Sequence, residues 1–213
     1  MRFRRLGSDL GTTFFTLLCF EVTSCERWGL RYPEKNKAFR IQSLMEIKLR
    51  PYELSDVDDF MEWACDDEVI RTSRLRHYTS REDALVYLQE VAIPHPWYRA
   101  MCLEESPIGF ICIKPGSASE RCRGLVSYAL GSKYWGKGIT TMAVKMVMST
   151  VFQEFPDMER LEGFVNVDNK ASQRVLEKAG FQKEGVLRKY VIVKGRTIDV
   201  TMYSYLKPDN IIT

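Results

Sequence analysis

The pattern of apolar and polar positions predicts strands in the first half of the chain. Residues 46–51 alternate polar and apolar side chains, as a strand with one buried face does. Apolar runs at 97–103, 107–114 and 122–130 are separated by short polar segments rich in Glu, Ser, Pro and Gly. These runs therefore predict three consecutive antiparallel strands.

Helices are predicted where the apolar residues recur with a longer period. Ser55 and Ser80 are predicted N-caps of helices over 56–64 and 81–92, because a serine side chain accepts a hydrogen bond from a free N–H at a helix start. A further short helix is predicted after Asp66. The apolar residues expected to share one face of helix 81–92 are Ala84, Leu85, Leu88 and Val91.

The C-terminal part continues the alternation of strand and helix. The pattern predicts a helix from 139 to about 155, a strand at 160–167 and a helix at 170–179 that Gly180 closes. Two strands, 181–193 and 196–206, form a final hairpin. This order predicts a mixed α/β (α+β) domain with a mostly antiparallel central sheet and helices on both faces.

Composition narrows the class of protein. The net charge of +3 over 213 residues is too small to indicate a nucleic-acid partner. Six cysteines without a Cys-x-x-Cys pair, and two histidines, predict no metal site. Cys102, Cys112 and Cys122 lie in apolar runs and are expected to be buried free thiols in a reducing compartment.

The first 44 residues differ from the body. Arginines precede a short apolar run at 12–20, which is far too short to span a membrane. The segment is predicted to be a poorly ordered leader, with organelle import and a start at Met45 as alternatives. We expect a cytoplasmic protein with one domain at 45–207 and a tail at 208–213.

A glycine-containing loop at 131–141 joins a predicted strand to a predicted helix. Gly136 and Gly138 allow main-chain N–H groups to converge near the positive end of the helix, which favours a bound phosphate. A nucleoside-triphosphate loop would need Ser or Thr at position 138, and a dinucleotide loop would need a small residue at 141, where Thr141 lies. A simple helix-capping turn is the structural alternative.

A second block, Asn166–Phe181, contains Asn169, Ser172 and the run Leu-Glu-Lys-Ala-Gly-Phe. It resembles the Asn-x-x-Ser…Leu-Glu-Lys-x-Gly-Phe block of the GNAT superfamily of N-acetyltransferases, in its RimJ/RimL-like branch. The loop 133–138 resembles that superfamily's pyrophosphate loop, with Lys133 in place of the usual Gln or Arg. The resemblance covers about residues 46–206 and implies the acyl-CoA N-acyltransferase fold.

The resemblance implies that acetyl-CoA is the co-substrate. It implies that the acceptor is a primary amine of a small molecule or of a protein N-terminus. It also implies that this amine attacks the thioester directly in a ternary complex. It implies no metal, and a monomer or homodimer. A non-catalytic acyl-CoA-binding regulatory protein is the alternative. The residues implied to bind the cofactor are Tyr128, Leu130, Lys133, Tyr134, Trp135, Gly136, Lys137, Gly138, Ile139 and Asn169.

The same resemblance implies catalytic roles. Ser172 is expected to hydrogen-bond the sulfur and donate a proton, and Asn169 to contact the pantetheine or a bound water; capping of the helix by both is the structural alternative. Many members carry Tyr where Leu176 lies, which shifts the acid role to Ser172. The main-chain N–H of Leu130 is expected to polarise the acetyl carbonyl.

Two roles stay open at this point. Glu162 is the first candidate for the general base, and Tyr128 and a water relay are the other candidates. The structural alternative is that Glu162 forms a surface ion pair. Trp135 is expected either to cover the cofactor as a lid or to anchor the core.

Overall fold

The computed structural model describes residues 46–208, and the predicted leader and most of the predicted tail lie outside that range. The strands are β1 (Ile47–Arg50), β2 (Tyr98–Leu103), β3 (Ser106–Pro115), β4 (Arg123–Leu130), β5 (Arg160–Asn166), β6 (Gln182–Val193) and β7 (Arg196–Leu206). The helices are α1 (Val57–Ala64), α2 (Asp67–Thr72), α3 (Arg81–Tyr87), α4 (Ile139–Glu154) and α5 (Lys170–Ala179). None of the described helices is long and apolar enough to cross a membrane.

The strands form one seven-stranded sheet in the order β1-β2-β3-β4-β5-β7-β6. All neighbouring strands are antiparallel except β4 and β5, which are parallel. The parallel pairing is short: it joins residues 123–125 of β4 to residues 160–162 of β5. The predicted mostly antiparallel sheet is therefore confirmed, and its centre contains two strands that pair over only part of their length.

The two faces of the sheet carry separate cores. On one face, α4 and α5 pack on apolar residues of the central strands, including Ile111, Val126 and Leu161. On the other face, α1 and α3 cover β2 and β3, and Trp63 of α1 packs against Phe110 of β3 with ring centres 6.1 Å apart. The ring of Phe110 also stacks on that of Tyr98 in β2 at 4.8 Å. Helices thus lie on both faces, as the sequence predicts.

Two details of the predicted helices are wrong. Ser55 is not an N-cap, because it lies inside a 3-10 turn, Leu54–Asp56, that precedes α1. Asp56 is the N-cap of α1 and makes no side-chain capping bond to it, because its carboxylate accepts the N–H of Glu53 at the start of the 3-10 turn at 2.8 Å. Val91 is 46% exposed because a π-helical turn, Leu88–Ala92, follows α3 and rotates Ala92 into the core instead.

The expectation of three buried thiols holds for one of them. Cys102 is buried, Cys112 is half-buried, and Cys122 is exposed just before β4 begins. All four cysteines in the described range are free thiols.

Close contact between β5 and α5 fixes the position of that helix. A Cβ atom at Gly163 would lie 2.7 Å from Cδ1 of Leu176, whereas a Cβ atom at Gly185 would meet nothing within 4 Å. We expect Gly163→Ala to lower the free energy of unfolding by about 1–3 kcal/mol, because Leu176 must move in a packed core. Gly185→Ala in β6 is the control, and urea denaturation of both variants is the measurement. Equal stability of the two variants would contradict the packing argument.

Candidate active site

The site lies where β4 and β5 separate in the middle of the sheet. β4 continues to Leu130 beyond its last residue paired with β5. The N–H of Gly131 donates to the carbonyl of Ile108 in β3 at 2.9 Å. Because successive residues of a strand direct their N–H groups to opposite sides, the N–H groups of Leu130 and Tyr128 point away from β3 and into the gap. The gap is thus bordered by unpaired main-chain donors.

The loop after β4 ends in a helix start whose N–H groups are free. Gly136 and Gly138 have φ values of +75° and +81°, a conformation that glycine adopts without the penalty of a side chain. Gly138 is the N-cap of α4 and has no side-chain capping bond, and the backbone N–H groups of residues 136–141 donate to no acceptor within residues 46–208. A Cβ atom at Gly136 would point into open space. This cradle suits a phosphate group.

The side chains of the loop surround the cradle. The indole N–H of Trp135 donates to the carbonyl of Leu130 at 2.7 Å, and the side chain is 41% exposed, so Trp135 is not a core anchor. The ammonium groups of Lys133 and Lys137 lie 5.1 and 5.4 Å from the ring centre of Tyr134. Two cations therefore lie at the mouth of the loop, where they favour an anionic ligand.

Helix α5 places two polar residues beside the gap. Asn169 is its N-cap, and its Oδ1 accepts the N–H of Ser172 at 3.0 Å, so the capping alternative is correct for this oxygen. The hydroxyl of Tyr128 donates to the carbonyl of Ser172 at 3.2 Å, and burial raises the pKa of this phenol. The Asn169 amide NH₂ and the Ser172 hydroxyl bond to no other described residue. Both groups are available to a ligand.

Glu162 lies at the closed end of the gap rather than beside Ser172. Its carboxylate is 5% exposed and accepts hydrogen bonds from Arg160 at 2.7 Å and from Arg123 of β4 at 3.1 Å. Arg160 also bonds Glu184 of β6 at 2.7 Å. Because the carboxylate already accepts hydrogen bonds from two guanidinium groups, this arrangement suits an ion pair between strands better than a general base.

The basic residues in α2 and in the segment between α2 and α3 are exposed. Arg71 pairs with Glu68, and Arg76 pairs with Asp83, as expected for a solvated surface. Arg74 and His77 are also exposed. Residues 46–208 contain no group of His, Cys, Asp and Glu arranged to hold a metal ion.

Sequence reasoning missed two sets of residues at the site. Asp66 accepts hydrogen bonds from Ser132 in the loop, although the two residues are far apart in the sequence. Tyr190 stacks on Phe164 of β5 with ring centres 5.3 Å apart. A bulge in β6 directs Tyr190 toward β5, and no sequence signal marks that irregularity.

Three features of the site suit a ligand that carries a pyrophosphate and a long arm. They are the separated parallel strands, the phosphate cradle and the polar start of α5. Residues 46–182 match the family model of the acetyltransferase (GNAT) domain. The chain belongs to the GNAT family. The predicted superfamily and the predicted enzyme class, an acetyltransferase, are thereby confirmed.

This GNAT chain is similar to several bacterial N-acetyltransferases. The uncharacterized N-acetyltransferase p20 of Bacillus licheniformis is 30% identical over 166 residues, which cover 76% of this chain and 93% of that protein. The ribosomal-protein-S5-alanine acetyltransferase of Vibrio fischeri shares the fold with a TM-score of 0.67 at 23% identity, over 76% and 94% of the two chains. A RimL ribosomal L7/L12 alpha-N-protein acetyltransferase shares the fold with a TM-score of 0.63 at 21% identity, and the match covers 75% of this chain and 93% of that protein. These matches show a shared fold and give no support to a non-catalytic protein.

The ion pairs around Arg160 make stability depend on pH. The guanidinium of Arg160, followed by the hydroxyl of Ser204, lowers the pKa of Glu184 from 4.5 to about 2. A lowered pKa means that this carboxylate stabilises the fold above pH 4.5 and that its contribution is lost as the pH falls from 4.5 toward 2.

We therefore expect Glu184→Gln to lower the Tm at about pH 6 and to have a smaller effect at about pH 3, where the wild-type carboxylate begins to lose its charge. Thermal denaturation at both pH values is the measurement. Glu90→Gln is the control, since Glu90 is exposed and forms no ion pair within the described range. A Tm difference for Glu184→Gln that grows on acidification would contradict the assignment.

Proposed function

We propose that this enzyme transfers an acetyl group from acetyl-CoA to a primary amine while both are bound. The observation that carries the proposal is the gap between β4 and β5, with free N–H groups along β4 and at the start of α4. In the proposal, the N–H groups of residues 134–139 bind the pyrophosphate, with Lys133 and Lys137 alongside. Acetyl-CoA supplies an activated thioester. The open space beside Gly136 fits the pyrophosphate.

The residues beside the gap have complementary roles in this proposal. The N–H of Leu130 points into the gap and donates a hydrogen bond to an oxygen on which negative charge develops. The free amide NH₂ of Asn169 binds the pantetheine arm or an ordered water. The free hydroxyl of Ser172 donates a hydrogen bond to the sulfur and passes its proton to the departing thiolate, and water returns a proton to the serine. The hydroxyl of Tyr128 orients Ser172 by holding its carbonyl group at 3.2 Å.

The proton of the amine passes to water in this mechanism. Glu162 is already bonded to two guanidinium groups, so its lone pairs are engaged. Tyr128 donates its own proton to a carbonyl group, and its raised pKa keeps it neutral at physiological pH. A neutral phenol is a weak base. The amine must therefore arrive uncharged, and a water chain through the open gap removes its proton.

The acceptor is proposed to be an α-amine of a protein or a small primary amine. Two solved structures with this fold are named for acetylation of ribosomal proteins S5 and L7/L12. In this chain, α2 and the β6–β7 hairpin flank the side of the gap opposite α5, and the hydrogen bond from Lys194 to the carbonyl of Ile70 joins them. An acceptor approaching there meets the exposed ring of Tyr190.

Filling the phosphate cradle tests the cofactor assignment. We expect Gly136→Trp to abolish acetyl-CoA binding, because the new side chain occupies the open space and disturbs a backbone with φ of +75°. Gly195→Trp is a matched control, since Gly195 has φ of +76° and the same open surroundings in the β6–β7 turn. Calorimetric titration with acetyl-CoA, CoA and ATP is the measurement. Wild-type binding of ATP without acetyl-CoA would overturn the proposal.

Removal of the Ser172 hydroxyl tests its proposed role as the general acid. We expect Ser172→Ala to lower kcat by about 10²-fold, with acetyl-CoA affinity unchanged, because the hydroxyl acts on the departing thiolate. The assay follows thiol release with the best acceptor from a panel of N-terminal peptides and polyamines. Ser149→Ala is the control, because Ser149 is exposed on α4 and its hydroxyl bonds only the carbonyl of Met146. An unchanged kcat in Ser172→Ala would exclude this role.

A further inference from the structure

The short helix α2 is attached to the phosphate loop by one carboxylate. Oδ1 of Asp66 accepts the N–H of Glu68 at 2.9 Å and so caps α2. Oδ2 accepts the N–H of Ser132 at 3.2 Å and also the Ser132 hydroxyl. These hydrogen bonds lower the pKa of Asp66, and the bond from the Ser132 hydroxyl has the largest effect. The carboxylate is therefore charged at neutral pH. A single side chain therefore caps a helix and binds Ser132 near the start of the loop.

The other end of α2 contacts the opposite wall of the gap. The ammonium group of Lys194, at the turn between β6 and β7, donates to the carbonyl of Ile70. β4 leads into the phosphate loop, whereas the β6–β7 hairpin adjoins β5 through β7. Helix α2 therefore links the two walls on the side of the gap where the acceptor is proposed to enter.

We propose that Asp66 is a positioning residue that couples acetyl-CoA binding at the phosphate loop to the position of α2. The inference rests on the proposed function, because it requires the cofactor to bind residues 134–139. A bound pyrophosphate restrains the loop that contains Ser132. The Asp66 carboxylate transmits that restraint to the first turn of α2, which borders the acceptor entrance. Donor binding thus prepares the acceptor side.

A neighbouring ion pair offers a contrast. Lys133 in the same loop contacts Glu62 of α1, but the two side chains are 54% and 61% exposed. Exposed ion pairs contribute little and are screened by salt. Asp66 differs because both of its oxygens bond backbone N–H groups. The coupling is therefore assigned to Asp66 and not to Glu62.

Hydrogen exchange of the full chain, with and without acetyl-CoA, tests the coupling. We expect acetyl-CoA to slow exchange at residues 132–139 and, by about 5-fold or more, at residues 67–72 of the wild type. Asp66→Ser is the informative variant, because serine still caps a helix but is too short to reach Ser132. In this variant we expect slowing at residues 132–139 to persist and slowing at residues 67–72 to disappear. Ser132→Ala is expected to reduce the effect, and Glu62→Gln to leave it unchanged.

The possible outcomes separate this inference from the proposed function. Slowing at residues 67–72 that is equal in the wild type and Asp66→Ser would overturn the role of Asp66. Slowing at residues 132–139 without slowing at residues 67–72 in the wild type would overturn the coupling and leave the cofactor site intact. No slowing at residues 132–139 would overturn the proposed function, and the inference with it.

Discussion

The short parallel pairing of β4 with β5 is the constraint on which the rest of the structure depends. The two strands hold together over residues 123–125 and 160–162 and then separate. The ion pairs of Glu162 with Arg123 and Arg160 stabilise the paired end. Beyond it, the sheet has no neighbour for the N–H groups of Tyr128 and Leu130. A sheet interrupted at its centre is otherwise costly, because unpaired backbone groups lose hydrogen bonds.

The surrounding elements follow from this separation. β4 ends at the loop that begins α4, and β5 ends at the cap of α5, so each wall of the gap leads into a helix start. Packing of Leu176 over Gly163 fixes the height of α5 above the sheet. Asp66 and Lys194 attach α2 to both sides. The proposed donor site and the proposed acceptor entrance are therefore parts of one connected structure.

The sequence predicts the elements well and their irregularities poorly. Periodicity locates all seven strands, and the helix over 170–179 agrees residue for residue with α5, because local propensity and burial favour the same structure. The exposed Val91 and the 3-10 turn at Ser55 depend on tertiary packing, which a local pattern does not contain. The exposure of Cys122 follows from its position in a turn rather than in the apolar strand beside it.

The same distinction applies to the site. The glycine loop and the Asn169–Ser172 block are contiguous in sequence and therefore visible. The engagement of Glu162 by two arginines and of Asp66 by Ser132 arises only when distant segments meet.

The gap between β4 and β5 also affects which sequence changes this enzyme can tolerate. The donors along β4 and at the start of α4 belong to the main chain, so a ligand that lies between the strands would act like an additional strand of the sheet. Recognition of that kind does not depend on the identity of the side chains along β4. Substitutions there that preserve packing would leave the proposed donor site intact, whereas the proposed acceptor side, which includes side chains such as Tyr190, would be free to change with the substrate.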